Sequence, residues 1–425
     1  MSVAHAIAVN GFFRAAATPP MGTAPLPAQL EQARAPRRRA GKWRAVALPA
    51  AGVVIAALGI RAALFPIESA DLTGFLVPWW NQMKDHGHLA ALKTGFSNYT
   101  PAYLYLLALL SYLPLSPRVA IKSLSIGFEA VQAAAFVAIA LRSNLGKTKQ
   151  GRLMALALPL FAPSVVLNGA AWAQCDVIHT AFALLALRAA LAERWIRTAL
   201  LTGLALSFKL QATFFAPALV LILAKPPARW RKSLALLLVP VVFFLSLVPA
   251  WCAGRPAREL LMIYVDQTHT YTDLTLSAPS LYQWLPGAPS APFRTIGVIM
   301  TATILAAGLY LVRQSSRRWG DYERTLTAIA TTLICPFLLP SMHERYFYTA
   351  DVLSMLLLFW DPRRWWVPLA IIAASTVCYG NYLFGQPPFE LKYMSLLIAA
   401  AIVAVMRDWG RALGLDWSPA APFDD

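Results

Sequence analysis

The sequence predicts an all-α, polytopic transmembrane protein, and three observations predict it. Of the 425 residues, 58% are hydrophobic and only 13% are charged, against about 25% charged in an average soluble domain. Apolar runs close to the roughly 20 residues that span a bilayer recur along the chain, and the mean hydropathy is +0.55. Those runs are continuous rather than alternating, which excludes a β-barrel. The net charge of +17 invites a nucleic-acid partner. The cations, however, sit in short clusters between apolar runs, as the positive-inside rule requires, so no nucleic-acid partner is expected.

In chain order, residues 1–44 read as a disordered cytoplasmic tail that ends in a basic anchor, "RAPRRRAGKWR". The apolar run behind it lacks a small-x-small cleavage site and is expected to remain as a span. The other cation clusters, 142–152, 193–197, 225–232, 313–324, 361–364 and 407–411, are all expected at the cytoplasmic face. That demand gives about twelve segments: 45–65, 119–141, 153–168, 176–191, 197–208, 212–224, 233–252, 294–312, 325–341, 346–360, 365–380 and 390–406. Both termini then lie in the cytoplasm, and 407–425 form a second tail. The transmembrane domain is 45–406, in the cell (inner) membrane. No internal repeat is visible.

Two segments need argument. "TPAYLYLLALLSYLPL" (100–115) is long enough to tempt a span, but as a span it would push 142–152 outside. It is read as an interfacial or re-entrant helix in a long first outer loop, 66–118. The stretch 198–224 has cations at both ends, so it is read as two short segments that meet near Lys209 and Gln211. The four cysteines have no metal-ligand spacing and are read as buried small hydrophobes.

On this topology the polar residues gather at the outer face. They are Glu68 and Asp71, Gln174, Asp176 and His179, Lys209 and Gln211, Asp266, His269 and Asp273, and the row His343-Glu344-Arg345-Tyr346. Each has a plain reading. Asp71 and Asp176 can cap helices, Lys209 can snorkel to headgroups, and Glu344 and Arg345 can form an interfacial ion pair. Glu129, inside a span, reads as hydrogen-bonded structure. His86 and His88 have no further partners for a metal, and no metal site is assigned. Together, carboxylates with Lys, Arg and His suit group transfer from a lipid-linked phosphate. A carboxylate deprotonates the attacking hydroxyl, and cations hold the departing phosphate. If Glu68 and Asp71 share a helix, their i,i+3 spacing puts both on one face. The rival class is a transporter or flippase of lipid-linked sugars, which the broken 198–224 stretch fits and the missing repeat does not. A purely structural membrane subunit is a third.

The stretches "ESADLTGFLVPWW", "NYTPAYLYLL", "LNGAAWAQCDVIHTAF", "LALSFKLQATFFAPAL" and "LLPSMHERYFYTADV" resemble, in order and spacing, bacterial mannosyltransferase-like membrane proteins of the C-type glycosyltransferase superfamily. The resemblance covers about residues 45–405. It implies a polyprenyl-phosphate-linked sugar as donor, mannose being favoured, a lipid or glycan acceptor, and a site facing the periplasm or outside. It implies Asp71 as catalytic base, seconded by Glu68. His343, Glu344, Arg345, Tyr346, Lys209, Gln211, Asp176 and Gln174 would contact the donor phosphate and sugar. Family members often carry an acidic pair in this loop. Here it is Glu68-x-x-Asp71 rather than Asp-x-Asp, which leaves a divalent cation as cofactor an open question.

Overall fold

The structure, a computed structural model, describes residues 46–227, 230–385 and 387–415. The tail expected over 1–44 and the last ten residues of the one expected over 407–425 lie outside them. The chain divides into two units, Met1–Leu48 and Pro49–Asp425, and, apart from the first residues of the helix Val46–Leu64, everything below concerns the second. It is built from helices. Among its described residues the one sheet is a pair of two-residue strands, β1 (Thr275–Leu276) and β2 (Met342–His343), which run parallel.

Among the described residues, five helices are long and apolar enough to cross a membrane: Val46–Leu64, Pro117–Ala140, Trp230–Cys252, Ser290–Gln314 and Pro362–Phe384. A sixth candidate is the pair Lys149–Phe161 and Pro163–Ala171, bent by 48°. Buried residues make up only 11% of the apolar window of the first, and 17% of those of Trp230–Cys252 and Ser290–Gln314. Helices apolar all round yet this exposed would be unstable in water, and lipid is the solvent that suits them.

The elements that carry the site are α1 (Pro117–Ala140), α2 (Asp176–Leu191), α3 (Trp195–Phe208), α4 (Ala216–Ala224), α5 (Asp321–Leu338), α6 (Trp366–Phe384) and α7 (Leu391–Leu413). α1 starts where Ser116 caps it, its side chain accepting from the Val119 N–H, with Pro117 next. α2 is buried along most of its length and sits in the main core. α3 stops at Lys209, whose backbone is extended (φ −153°, ψ 140°). A 3-10 turn, Leu210–Phe214, then leads into α4. The expected break in 198–224 therefore falls at Lys209. α7 runs to Leu413 and stops at Gly414, which has φ 87°.

Three expectations are corrected. The tail expected from residue 407 is still helix. Trp409 is buried and donates from Nε1 to Thr327 Oγ1 (3.0 Å), and Asp408 is paired with Arg364, so these contacts carry α7 onward. The stretch expected as a long outer loop, 253–293, contains a helix, Ala257–Thr270. Cys175, Cys335 and Cys378 are buried as expected, but Cys252 is exposed, because its helix is a peripheral one.

Candidate functional site

Asp71 stands just before the π-helical turn Leu72–Leu76, yet its side chain makes no cap bond. The turn is fixed by Ser69 instead. The Ser69 hydroxyl donates to the Trp172 carbonyl (2.7 Å) and accepts from the Leu72 N–H (3.1 Å). This ties the first loop to the 172–174 segment and delivers Asp71 to three donors. Oδ2 accepts from Trp172 Nε1 (2.9 Å) and Gln174 Nε2 (2.6 Å), and Oδ1 accepts from the Tyr382 hydroxyl (2.7 Å). Gln174 accepts from Tyr99 (3.3 Å). The Trp172 and Tyr382 rings stack at 4.4 Å.

Asp176 opens α2 and is almost wholly buried, but it does not cap the helix either. It accepts from Lys209 Nζ (2.5 Å) and Asn168 Nδ2 (3.0 Å), with His179 Nε2 at 3.8 Å. Lys209 is therefore a buried partner rather than a snorkelling side chain. The extended backbone at the α3 break turns it inward.

The row His343-Glu344-Arg345 is held by the small sheet. Leu276 pairs with His343, and the Glu344 N–H donates to the Leu276 carbonyl (3.1 Å). Glu344 and Arg345 do form the expected ion pair (3.1 Å), but they form it in a buried setting. Arg345 also lies 3.8 Å from Asp71 and 3.9 Å from Asp176. Its guanidinium is 5.5 Å from the Trp172 ring and 5.9 Å from Tyr346. It is thus the link that joins the two aspartates. Burial pushes the Glu344 carboxyl up, against the pull of Arg345. Burial, with Arg345 and Lys209 adding to it, drives His343 down to about 2. His343 is thus a neutral imidazole, set against Tyr271 and Tyr346. Three non-glycine residues with left-handed backbone flank the site: Ala173 (φ 67°), Ser277 (φ 62°) and Ser341 (φ 60°). Such strain tends to collect at functional sites.

Beside this cluster lies a cavity of about 490 Å³. Lys209, Gln211, His343, Arg345, Tyr346 and Arg294 contribute its polar wall, and Phe208, Leu210, Phe214, Val298 and Leu339 contribute an apolar one. No carboxylate lines it among the described residues. Gln211 keeps a buried Oε1 without a hydrogen-bond partner. Arg294 donates to the carbonyls of Tyr271 (2.9 Å) and Thr268 (2.7 Å) and has no ion-pair partner among the described residues.

Most of the expected residues converge, but Glu68 does not join them. It precedes the helical turn and pairs with Arg118 (3.0 Å), both side chains being about half exposed. The shared face with Asp71 is absent because the helix begins only after Glu68. His269 lines the cavity, whereas Asp266 and Asp273 are exposed and do not line it. His88 bonds Ser111 (2.6 Å) and stacks on Tyr112. No group of three or more His, Cys, Asp or Glu is placed to hold a metal among the described residues. Glu129 is paired with Arg61, in line with its structural reading. Sequence reasoning missed Trp172, Tyr99, Asn168, Arg294 and Tyr382. Trp172 stands inside the "WAQCD" block, which was its one signal. Tyr382 looks like part of an ordinary apolar run. No protein-family model matches this chain, and no curated protein matches it.

Proposed function

We propose that this chain is an integral-membrane glycosyltransferase. It moves a sugar, mannose on the strength of the resemblance, from a polyprenyl-phosphate donor to a lipid or glycan acceptor at the periplasmic or outer face. About twelve membrane segments and two cytoplasmic termini go with that reading. The observation that carries it is the cavity beside Asp71. Its cationic and histidine wall, with no lining carboxylate among the described residues, suits a phosphate, and its apolar wall suits the first isoprene units.

The reaction is a single inverting displacement. The acceptor hydroxyl gives its proton to Asp71, and its oxygen attacks the anomeric carbon. The bond from that carbon to the phosphate oxygen breaks, and polyprenyl phosphate leaves with the electron pair. Oδ1 is the working oxygen of Asp71, because Oδ2 is occupied by Trp172 and Gln174 while Oδ1 holds only the Tyr382 hydroxyl. An acceptor hydroxyl takes that place when Tyr382 swings away. Arg345 and Lys209 stabilise the leaving phosphate as cations, and His343 does so as a neutral donor. A phosphate leaving group needs little acid help, so no second carboxylate is required at Glu68.

The break at Lys209 favours one second reading, the transport of lipid-linked sugars through a discontinuous helix. The test is to incubate the purified protein with radiolabelled polyprenyl-phosphate mannose and a pool of lipid and glycan acceptors. Transfer is expected. Arg345→Ala should cut it about 10²–10³-fold, as loss of a transition-state donor does. Arg345→Lys should restore only part, since an ammonium cannot make the bidentate contact. Turnover unchanged in Arg345→Ala would refute the phosphate site, and transbilayer movement of the donor without transfer would favour the second reading.

A further inference from the structure

A second cavity, of about 330 Å³, is lined by residues from the other ends of the same helices. α3 runs from Trp195 in this cavity to Phe208 in the first, and α4 ends here at Ile222 and Leu223. At 1.5 Å per residue, α3 sets the two roughly 20 Å apart. The proposed transfer makes no use of this end of the molecule.

Among the described residues, four cations line the second cavity, Lys225, Lys232, Arg318 and Arg324, against one carboxylate, Glu193. Glu193 is shared between Lys232 (2.5 Å) and Arg324 (3.3 Å). Lys225 donates to the Ser315 carbonyl (2.5 Å) and lies 5.5 Å over the Trp319 ring. Arg318 is exposed and joins no ion pair among the described residues. A preference for cations on one side of a membrane explains basic loops. It does not explain why cations from two separate stretches, 225–232 and 318–324, close with the 193–195 turn around one hollow. Nor does it explain the walls. Trp195 and Trp319 are nearly buried there, and the indole of Trp319 is anchored to the Ala412 carbonyl (3.3 Å). The turn at Glu193 is held in a left-handed conformation (φ 56°). Ile222 and Leu223 give the hollow an apolar side.

We propose that this cavity binds a phosphate group, and that the group is the headgroup of an anionic phospholipid from the leaflet opposite the transfer site. Excess positive charge and several Lys and Arg donors suit a phosphodiester. Two tryptophans in its wall suit the headgroup level of a bilayer, and Ile222 and Leu223 meet the start of an acyl chain. The site does not depend on the chemistry at Asp71, and its readout is binding.

The test uses the full chain in detergent, with lipid binding followed by native mass spectrometry and by thermal shift. Phosphatidylglycerol should bind more tightly than phosphatidylcholine. Arg318→Gln/Lys232→Gln should weaken phosphatidylglycerol by up to about a hundredfold, since each of the two lost charge-assisted bonds is worth about a factor of ten. Arg318→Lys should keep most of the binding. Lys147→Gln/Lys149→Gln removes the same charge from another basic stretch and should change nothing. Circular dichroism and lipid-free melting show whether each variant is folded. Saturable binding of inorganic phosphate that the double variant loses would uphold the phosphate site and move its source to the solution. Equal binding of both lipids would overturn the proposal. An equal loss in the Lys147/Lys149 control would also overturn it, because it would reduce the effect to bulk charge.

Discussion

At the scale of single residues, the site turns on how Asp71 and His343 are surrounded. Asp71 has a fixed oxygen and a freer one, and its partners are neutral except for Arg345 at 3.8 Å. Asp71→Asn keeps the shape and removes the base, so turnover should fall about 10²–10⁴-fold while donor binding persists. Glu68→Gln should leave turnover near normal, because Glu68 faces Arg118 in a half-exposed pair. Sugar-transfer rates and donor affinities measured on both purified variants check this. A large loss at Glu68 would return it to the mechanism. His343 makes a prediction about pH. Its folded pKa of about 2 lies below the roughly 6.5 of an unfolded histidine. Below about 6.5 the unfolded chain therefore takes up a proton that the folded chain refuses. Stability should be flat above that pH and fall below it, by up to about 1.4 kcal/mol per unit. Melting curves from pH 5 to pH 8 should show a shallower acid slope in His343→Asn than in the wild type.

At the scale of elements, α3, the break and α4 bring Lys209 to Asp176. The break was legible because cations flank 198–224 at both ends. Its purpose was not, since the buried pair spans the distance from 176 to 209 and only packing reveals it. The same holds for Asp71, whose donors come from 172, 174 and 382. Position along the chain says nothing about such neighbours, and Tyr382 has no local pattern that marks it. Glu68 failed for a related reason. The spacing to Asp71 suits a shared helix face, but the start of that helix is fixed by Ser69 bonding a distant carbonyl. The buried Lys209–Asp176 pair predicts an asymmetry between removing one partner and removing both. Asp176→Asn leaves Lys209 charged and buried and should cost about 3–5 kcal/mol. Asp176→Asn/Lys209→Met should recover much of that. Thermal unfolding in detergent measures both. The double variant should still bind donor poorly, because Lys209 also lines the cavity.

At the scale of the whole molecule, α2, α3, α4 and α5 place the two kinds of chemistry at opposite ends. Asp176, Phe208, Phe214 and Leu339 lie toward the proposed transfer site, and Glu193, Trp195, Lys225 and Arg324 lie at the other end. That polarity parallels the alternation of cation clusters in the sequence, and it makes orientation testable. The critical element is the helix Pro101–Ser111. Its 11 residues rise about 16 Å, roughly half the 30 Å of a hydrocarbon core. A helix this short cannot cross alone, so the chain should stay outside from residue 66 until α1 carries it in. Exposed Cys252 would itself react with a thiol probe, so the test needs a background with all four cysteines replaced. In that background, Lys149→Cys and Arg317→Cys should be protected from an impermeant thiol reagent in intact cells and react after permeabilisation. Asp85→Cys and Asp266→Cys should react from outside. All four positions are exposed in the fold, so burial within the protein does not mimic protection by the membrane. Reaction of Lys149→Cys in intact cells would make Pro101–Ser111 part of a true crossing. It would move the second cavity to the outer face and place Asp71 and Arg345 on the cytoplasmic side, where an outward-facing acceptor does not reach them.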